Sequence, residues 1–346
     1  MKRQNSVFMN FAAFVGCLVV SSVSAEVPYQ FEGGMPASSA QVNANFANID
    51  SRLSALETTP IGIDCTNDPT ALQAQWDQAV SRGAERASYN INGTCNFEYS
   101  EWGSRYLDIR GSGPNSSRII GSIYQSSVGN YVRLSNVTFG PSNNEQFNGE
   151  ILRPSSGSTL VLNNVVLSQG ATISGWDAFT RIYIGGGQIL APVNLYSAQL
   201  NVQHAQLASL SATSSRVYFH GGGLTGNLYL ANSRAQFQPI GVPNGESYIT
   251  GGAYIKQSQV VLSGTSAGGF SVNHGSAITL EGDASVADLF LLGSTLHLQG
   301  GSVQSGRIGL NLSNAFVDID TALNYECANS SHVVGDPNNA SAINCR

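Results

Sequence analysis

Five short segments, Ser158 to Leu162, Ser215 to Phe219, Ser258 to Leu262, Ser276 to Leu280 and Ser294 to Leu298, share one pattern: a serine followed by residues of alternating apolar and polar character. Alternation of this kind is the signature of a strand with one face buried. The first inward residue of successive copies runs Val132, Leu160, Ile182, Leu200, Val217, Ala235, Val260, Ile278, Leu296, Ala315, in steps of 28, 22, 18, 17, 18, 25, 18, 18 and 19 residues. A base period near 18 residues with occasional longer steps is what stacked repeats give when loops are inserted between turns. An antiparallel sandwich has no such register.

A second strand precedes many of these copies, marked by Val193 and Leu195, Leu228 and Leu230, Leu289 and Leu291, and Ile308 and Leu310. Glycine-rich corners at 185–187, 221–223 and 300–301 let the chain bend between strands. The expected fold is therefore all-β, a single parallel solenoid with coils of about 18 residues spanning 61–346. Such a stack leaves raw sheet edges at both ends, which must be covered. Residues 61–100 are expected to form the first cap. There Leu72, Trp76 and Val80 fall four apart on one face of a helix over 69–82, with Pro69 in its first turn and Gly83 as its stop. Residues 320–346 are expected to form the second cap.

The segment ahead of the repeats reads differently. Lys2 and Arg3 followed by the apolar stretch Val7 to Val20 and the small residues Val23, Ser24 and Ala25 read as a secretory signal over 1–25. The competing lipoprotein cleavage at Cys17 is disfavoured because the apolar run continues past it. Within 26–60, Val42, Phe46, Ile49, Leu53 and Leu56 are spaced 4, 3, 4 and 3 apart, a two-heptad coiled-coil seam. A helix this short must pack on something, either sister copies, giving a homo-oligomer through 38–57, or its own chain.

After removal of the signal, two basic residues leave the count, so the balance becomes 16 − 2 = 14 basic against 22 acidic residues. Lys2 and Lys256 are the only lysines, and no basic run exists to follow a phosphate backbone, so nucleic acid is not an expected partner. No second apolar stretch is long enough to span a membrane. Cys65, Cys95, Cys327 and Cys345 remain, an even number in an exported chain, which favours disulfides. Of three possible connectivities, Cys65–Cys95 with Cys327–Cys345 places one pair at each end. Location is expected to be extracellular, periplasmic or on the cell surface.

The run Ile63-Asp64-Cys65, the Leu72/Trp76/Val80 helix, Ile91 to Cys95 and the coils from Leu107 to about Ile319 together resemble the right-handed parallel β-helix proteins of pectin-lyase-like type. The resemblance covers roughly three quarters of the chain and implies a right-handed coil. It leaves activity open, since that family includes polysaccharide lyases, glycoside hydrolases and adhesive proteins without a reaction. The segment from Phe31 through Phe46 is similar to a short coiled-coil leader found ahead of exported proteobacterial domains, which implies assembly or presentation.

The chemistry such folds perform needs clustered charge, and only 11% of this chain is charged against about 25% in an average domain. A lyase needs a cation and a base beside a sugar carboxylate. In register, one outward column reads Arg181, Gln199, Arg216, Arg234, Gln259, Ala277, Thr295, with Tyr183 and Tyr218 alongside. Three arginines on one face suit an anionic glycan, or else form a solvated ladder. A hydrolase needs paired acids. Asp318 with Asp320 and Glu281 with Asp283 are placed at an end cap and a turn, and Asp288 is expected to pair with Arg307. Inserts at 140–157, 170–178 and 238–252 carry Phe147, Trp176 and Tyr248 for stacking on sugar rings, with Glu145, Glu150, Asp177 and Glu246 as acceptors. The five histidines lack metal-ligand spacing, so no metal and no cofactor is expected.

These features lead to a secreted or surface protein without an evident catalytic site that binds or presents to carbohydrate. A polysaccharide lyase or glycoside hydrolase, and a purely structural surface protein, are the alternatives.

Overall fold

The computed structural model describes residues 60–346 apart from 102–105, 126–127, 142–149, 240–246, 305–306, 318–323, 330, 335–342 and 345–346. A unit boundary falls between Thr58 and Thr59, and all described residues belong to the second unit. The signal segment, the seam at 38–57, Phe147, Glu145, Glu246, the Asp318/Asp320 pair and the Cys327–Cys345 bridge lie outside the described residues or side chains.

The described chain is predominantly β, with strands in one large parallel sheet that groups into three ladders. The first ladder carries the serine-led strands. Its inner column pairs Ala87, Leu107, Val132, Leu160, Ile182, Leu200, Val217, Ala235, Val260, Ile278, Leu296, Ala315 and Val333, each with the next, all buried. From Val132 to Ala315 this is the column read from the sequence. The second ladder stacks Ile119, Phe139, Leu167, Ile189, Leu207, Leu224, Ile249, Ala267, Val286 and Val303. The third stacks Ile173, Val193, Leu210, Leu228, Ala253, Phe270, Leu289 and Ile308. The chain visits the ladders in that order and returns to the first one strand further on. Apolar columns from all three meet in a single core, in which Phe219 and Phe237 stack at 4.7 Å.

The corner between the third and first ladders is built from two devices. The residue before each serine sits in the left-handed region, as at Ser214, Asn232, Gln257, Gly275, Gly293 and Leu312. The serine hydroxyl then closes the turn. Ala198 N–H donates to Ser215 Oγ at 3.1 Å, Ser215 N–H to Ser233 Oγ at 3.0 Å, Ser233 N–H to Ser258 Oγ at 2.9 Å and Ser258 N–H to Ser276 Oγ at 3.2 Å. The same link recurs from Ser294 to Ser313 and from Ser313 to Ser331. Each hydroxyl donates in turn to a carbonyl two or three residues back, such as Lys256 O at 2.7 Å from Ser258 and Ala328 O at 2.8 Å from Ser331. Buried amides at the turns are thereby satisfied, as buried backbone must be.

At the first end, the helix is Ala71–Ser81, starting two residues later and ending one residue earlier than the sequence predicts. Pro69 stays outside because its carbonyl accepts the Asn96 N–H at 2.7 Å. Leu72 and Trp76 are buried, and Trp76 lies 5.2 Å from Tyr99. Gln73 Oε1 accepts the Glu98 N–H at 2.8 Å. Helix and leading turn thus occupy amides on the edge strand Arg86–Glu101 that would otherwise be free to pair with another chain. Cys65 and Cys95 are disulfide-bonded with Cα atoms 5.2 Å apart. At the other end His332–Val334 pairs antiparallel with Ile343–Asn344, a departure from the parallel rule.

Candidate functional site

Between the two inward residues of each third-ladder strand lies one outward residue. Following the register, that column reads Ser174, Asn194, Ser211, Tyr229, Tyr254, Ser271, Phe290, Gly309, Glu326. It is polar through Ser211 and turns aromatic at Tyr229. The aromatic half lines a groove of about 830 Å³ whose edge is formed by the turns leading into the same strands, at Asn227, Gly252, Gly269 and Asp288.

Tyr229, Tyr254 and Phe290 are 40%, 41% and 46% exposed, so they cover no core. The two tyrosine rings are stacked, with centroids 5.5 Å apart and planes within 4° of parallel. Phe290 leans over Gly309, where a Cβ would come within 2.7 Å of Phe290 Cδ2. Gly309 is therefore fitted to the ring beside it. Ser271 breaks the aromatic run. Its Oγ accepts from Asn273 Nδ2 at 2.9 Å, leaving the hydroxyl proton to donate outward. On the turn edge, Asn227 Oδ1 accepts the Gly252 N–H at 3.2 Å, fixing the wall.

Among the described residues that line the groove, the charged ones are Asp288 and Glu326, both exposed. An aromatic floor edged by hydrogen-bonding groups and negative charge is suited to polyhydroxylated, partly apolar ligands. Among the described residues no group of three His, Cys, Asp or Glu is placed to hold a metal ion.

The residues singled out from sequence are placed elsewhere. Arg181, Gln199, Arg216, Arg234 and Gln259 are register partners on the outer face of the first ladder, as the repeat predicts. Arg234 donates to Gln259 Oε1 from Nε at 3.1 Å and from Nη2 at 2.7 Å, which is ladder stacking. Tyr183 and Tyr218 flank that column two strands apart, with Asn201 between them. Trp176 and Tyr248 are not loop residues. Trp176 ends the strand Thr172–Trp176, stacked on Tyr196 at 4.2 Å with the Arg153 guanidinium 5.5 Å from its ring. Tyr248 belongs to the strand Ser247–Ile249, and its ring lies where a Gly223 side chain would stand, half-buried. The inserted segments approach the sheet closely enough to pair with it, which leaves Tyr248 half-buried while Trp176 stays exposed in its stack on Tyr196. Asp288, expected to pair with Arg307, is a groove residue; the Arg307 side chain lies outside the described ones.

A second concavity, of about 510 Å³, lies at the first end between Asp64, Asn90 and Arg110. Asp64 there is occupied by its own turn: its Oδ1 accepts Thr66 Oγ1 at 2.6 Å and Thr66 N at 3.0 Å, and those bonds lower its pKa. Nearby Asp108 is buried and ion-paired with Arg110 at 2.6 Å and Arg133 at 3.8 Å.

The sequence reading missed the groove column, although its signal was present as the single residue between each pair of inward leucines: Tyr229 between Leu228 and Leu230, and Phe290 between Leu289 and Leu291. Comparison of the chain with protein-family models, with curated proteins and with solved structures gives no match.

Proposed function

We propose that this chain is an exported, right-handed parallel β-helix of the pectin-lyase-like kind that binds extracellular carbohydrate on a non-catalytic surface, with the seam at 38–57 gathering several copies. The observation that carries the binding reading is the row of exposed rings Tyr229, Tyr254 and Phe290 along one groove edged by Asn227, Asp288 and Glu326. Exposed rings that cover no core are costly to keep in water unless a ligand buries them. Parallel ladders set those rings in one line across successive strands, as a polymeric ligand requires. The scarcity of charge in the chain favours binding over lyase chemistry, which needs a base and a cation at the sugar carboxylate.

The test is binding of the purified protein to an array of neutral and acidic polysaccharides, with product analysis after long incubation. Binding with glycans left intact, weakened at least tenfold by Tyr254→Ala, supports the reading. Unsaturated or reducing-end products overturn it in favour of a lyase or hydrolase. The arginine column, Arg181, Arg216 and Arg234 with Tyr183 and Tyr218, is the competing surface for anionic chains; loss of binding in an Arg216→Ala/Arg234→Ala variant, with Tyr254→Ala unaffected, moves the site there. Light scattering with and without residues 26–60 tests the seam, and a monomer in both cases removes it.

A further inference from the structure

The outer face of the third ladder carries two outward residues per strand, one in the groove column and one two residues further along, and the rings change column partway. In strand order the pairs are Asn194 and Tyr196, Ser211 and Thr213, Tyr229 and Ala231, and Tyr254 and Lys256, with Trp176 ahead of Tyr196 in its column. Each of these strands presents at most one aromatic ring. Trp176 and Tyr196 are 37% and 40% exposed and stacked at 4.2 Å, so they too cover no core. The Arg153 guanidinium lies 5.5 Å from the Trp176 ring and Tyr196 takes one indole face, so the remaining face of Tyr196 looks across the strand that carries Ser211 and Thr213. Tyr229, whose other face is taken by Tyr254, looks across the same strand from the opposite side. Two strand steps of about 4.8 Å and an offset of two residues of about 3.3 Å separate the backbones of Tyr196 and Tyr229, a diagonal of about 12 Å. The bed of that crossing is low, since Ser211, Thr213 and Ala231 are small and half-buried.

From this arrangement we infer that the Trp176/Tyr196 pair and the groove form one aromatic track, which holds an internal stretch of a long linear polysaccharide as it crosses the ladder diagonally. The inference rests on the carbohydrate-binding reading and adds to it a second anchor and a ligand length. Six strand steps separate Trp176 from Phe290, so the track is about 29 Å long. One ring per strand makes a path one chain wide. The chain leaves Tyr196, passes over Ser211 and Thr213, whose hydroxyls donate to and accept from its own, and meets Tyr229 on the far side. Sugar C–H faces pack on the two ring faces that look onto the crossing. A short oligosaccharide occupies the three strand steps from Tyr229 to Phe290, about 14 Å, without reaching Tyr196. A longer one engages both anchors, and the second contact, being intramolecular once the first is made, raises affinity with no change in the groove itself. Affinity is thus set by chain length, and the ends of the polymer are not what is recognised.

The experiment is calorimetric titration of the full chain with xylan, glucan and galacturonan oligosaccharides of three and of ten residues, repeated for Tyr196→Thr and Tyr254→Ala. Threonine is the residue that the next strand carries in the Tyr196 column, so Tyr196→Thr is expected to fold. Circular dichroism and melting establish that it does; if its fold is disturbed, Trp176→Ser replaces it with the same expectation. The expected result, in the series that binds, is a ten-residue chain held at least tenfold more tightly than the three-residue one. Tyr196→Thr is expected to remove most of that advantage while three-residue affinity stays within twofold, and Tyr254→Ala to weaken both lengths. A ten-residue chain bound no more tightly than the short one, or unaffected by Tyr196→Thr, overturns the inference while leaving carbohydrate binding in the groove standing. So does Tyr196→Thr weakening both lengths alike. No binding in any series overturns both.

Discussion

Ser258→Ala tests whether the corner hydroxyls hold the ladders in register. Ser258 is buried; its Oγ accepts the Ser233 N–H at 2.9 Å and donates to Lys256 O at 2.7 Å. Removing the hydroxyl affects those two groups unequally. Lys256 O keeps a second partner, the Asn232 N–H at 3.0 Å, so the carbonyl remains satisfied. The Ser233 N–H loses its acceptor in a buried turn, and an orphaned buried donor costs about 1–3 kcal/mol. The expected loss is therefore that of one amide, about 2 kcal/mol, rather than the sum of two broken bonds. Urea unfolding at neutral pH measures it, with Gln259→Ala, an exposed neighbour, as the control expected to stay within about 0.5 kcal/mol. Amide exchange gives a local reading: Ser233 is expected to be the amide most accelerated. Ser258→Ala no more destabilising than Gln259→Ala, with unchanged exchange at Ser233, refutes the reasoning.

Gly222→Ala is expected to destabilise by at least about 3 kcal/mol in the same assay, because the added Cβ would stand 2.2 Å from Ala205 O at a φ of +85°. Leu312→Asn is expected to gain about 0.5–1 kcal/mol, since Leu312 holds φ at +49° while its side chain is 59% exposed, and Asn232 adopts the same conformation at an equivalent corner. Tyr89→Phe is expected to be neutral or stabilising by about 1 kcal/mol at pH 7, as the Tyr89 hydroxyl is buried without a hydrogen-bond partner. Burial pushes that phenol from 10 up to about 12, so the unfolded chain ionises first and stability falls as pH rises from 10 toward 12; a pH series of melts on Tyr89→Phe should lack that component of the decline.

The inner column of the first ladder was legible because its strands repeat a serine and two alternating apolar residues, and because parallel pairing preserves that order from strand to strand. Cys65–Cys95 and the helix face Leu72/Trp76 were legible for similar local reasons. The purpose of the serine was not, since its partner amide lies 17–25 residues away and is fixed only once the turns stack. The groove escaped for a related reason. Tyr229 and Tyr254 are 25 residues apart, Tyr254 and Ser271 are 17 apart, and Ser271 and Phe290 are 19 apart, so no single period aligns them. The insert at 238–252 obscures the register there, and it and the insert at 170–178 drew the search for aromatic residues to Tyr248 and Trp176. In the structure Trp176 is stacked on a strand and Tyr248 half-buried against Gly223.

What separates the groove from the rest of the surface is that its composition is unnecessary to the fold. Along the same outward column, Asn194 and Ser211 occupy positions equivalent to Tyr229, Tyr254 and Phe290, and the strands beneath them pair and bury their inner residues equally well. Stability here comes from the inner columns and the corner serines, while cross-strand contacts between outer rings contribute about 0.2–1 kcal/mol each. Exposed apolar area gained in exchange favours self-association. A stretch of ladder in which polar residues suffice for folding, yet two stacked tyrosines, a serine, a phenylalanine and a fitted glycine follow in order, is shaped by something other than the fold. If the proposed carbohydrate binding holds, the sequence of small and large residues along that column sets ligand specificity, with the ladder beneath it as a ruler that converts one outward residue per strand into a spacing of about 4.8 Å.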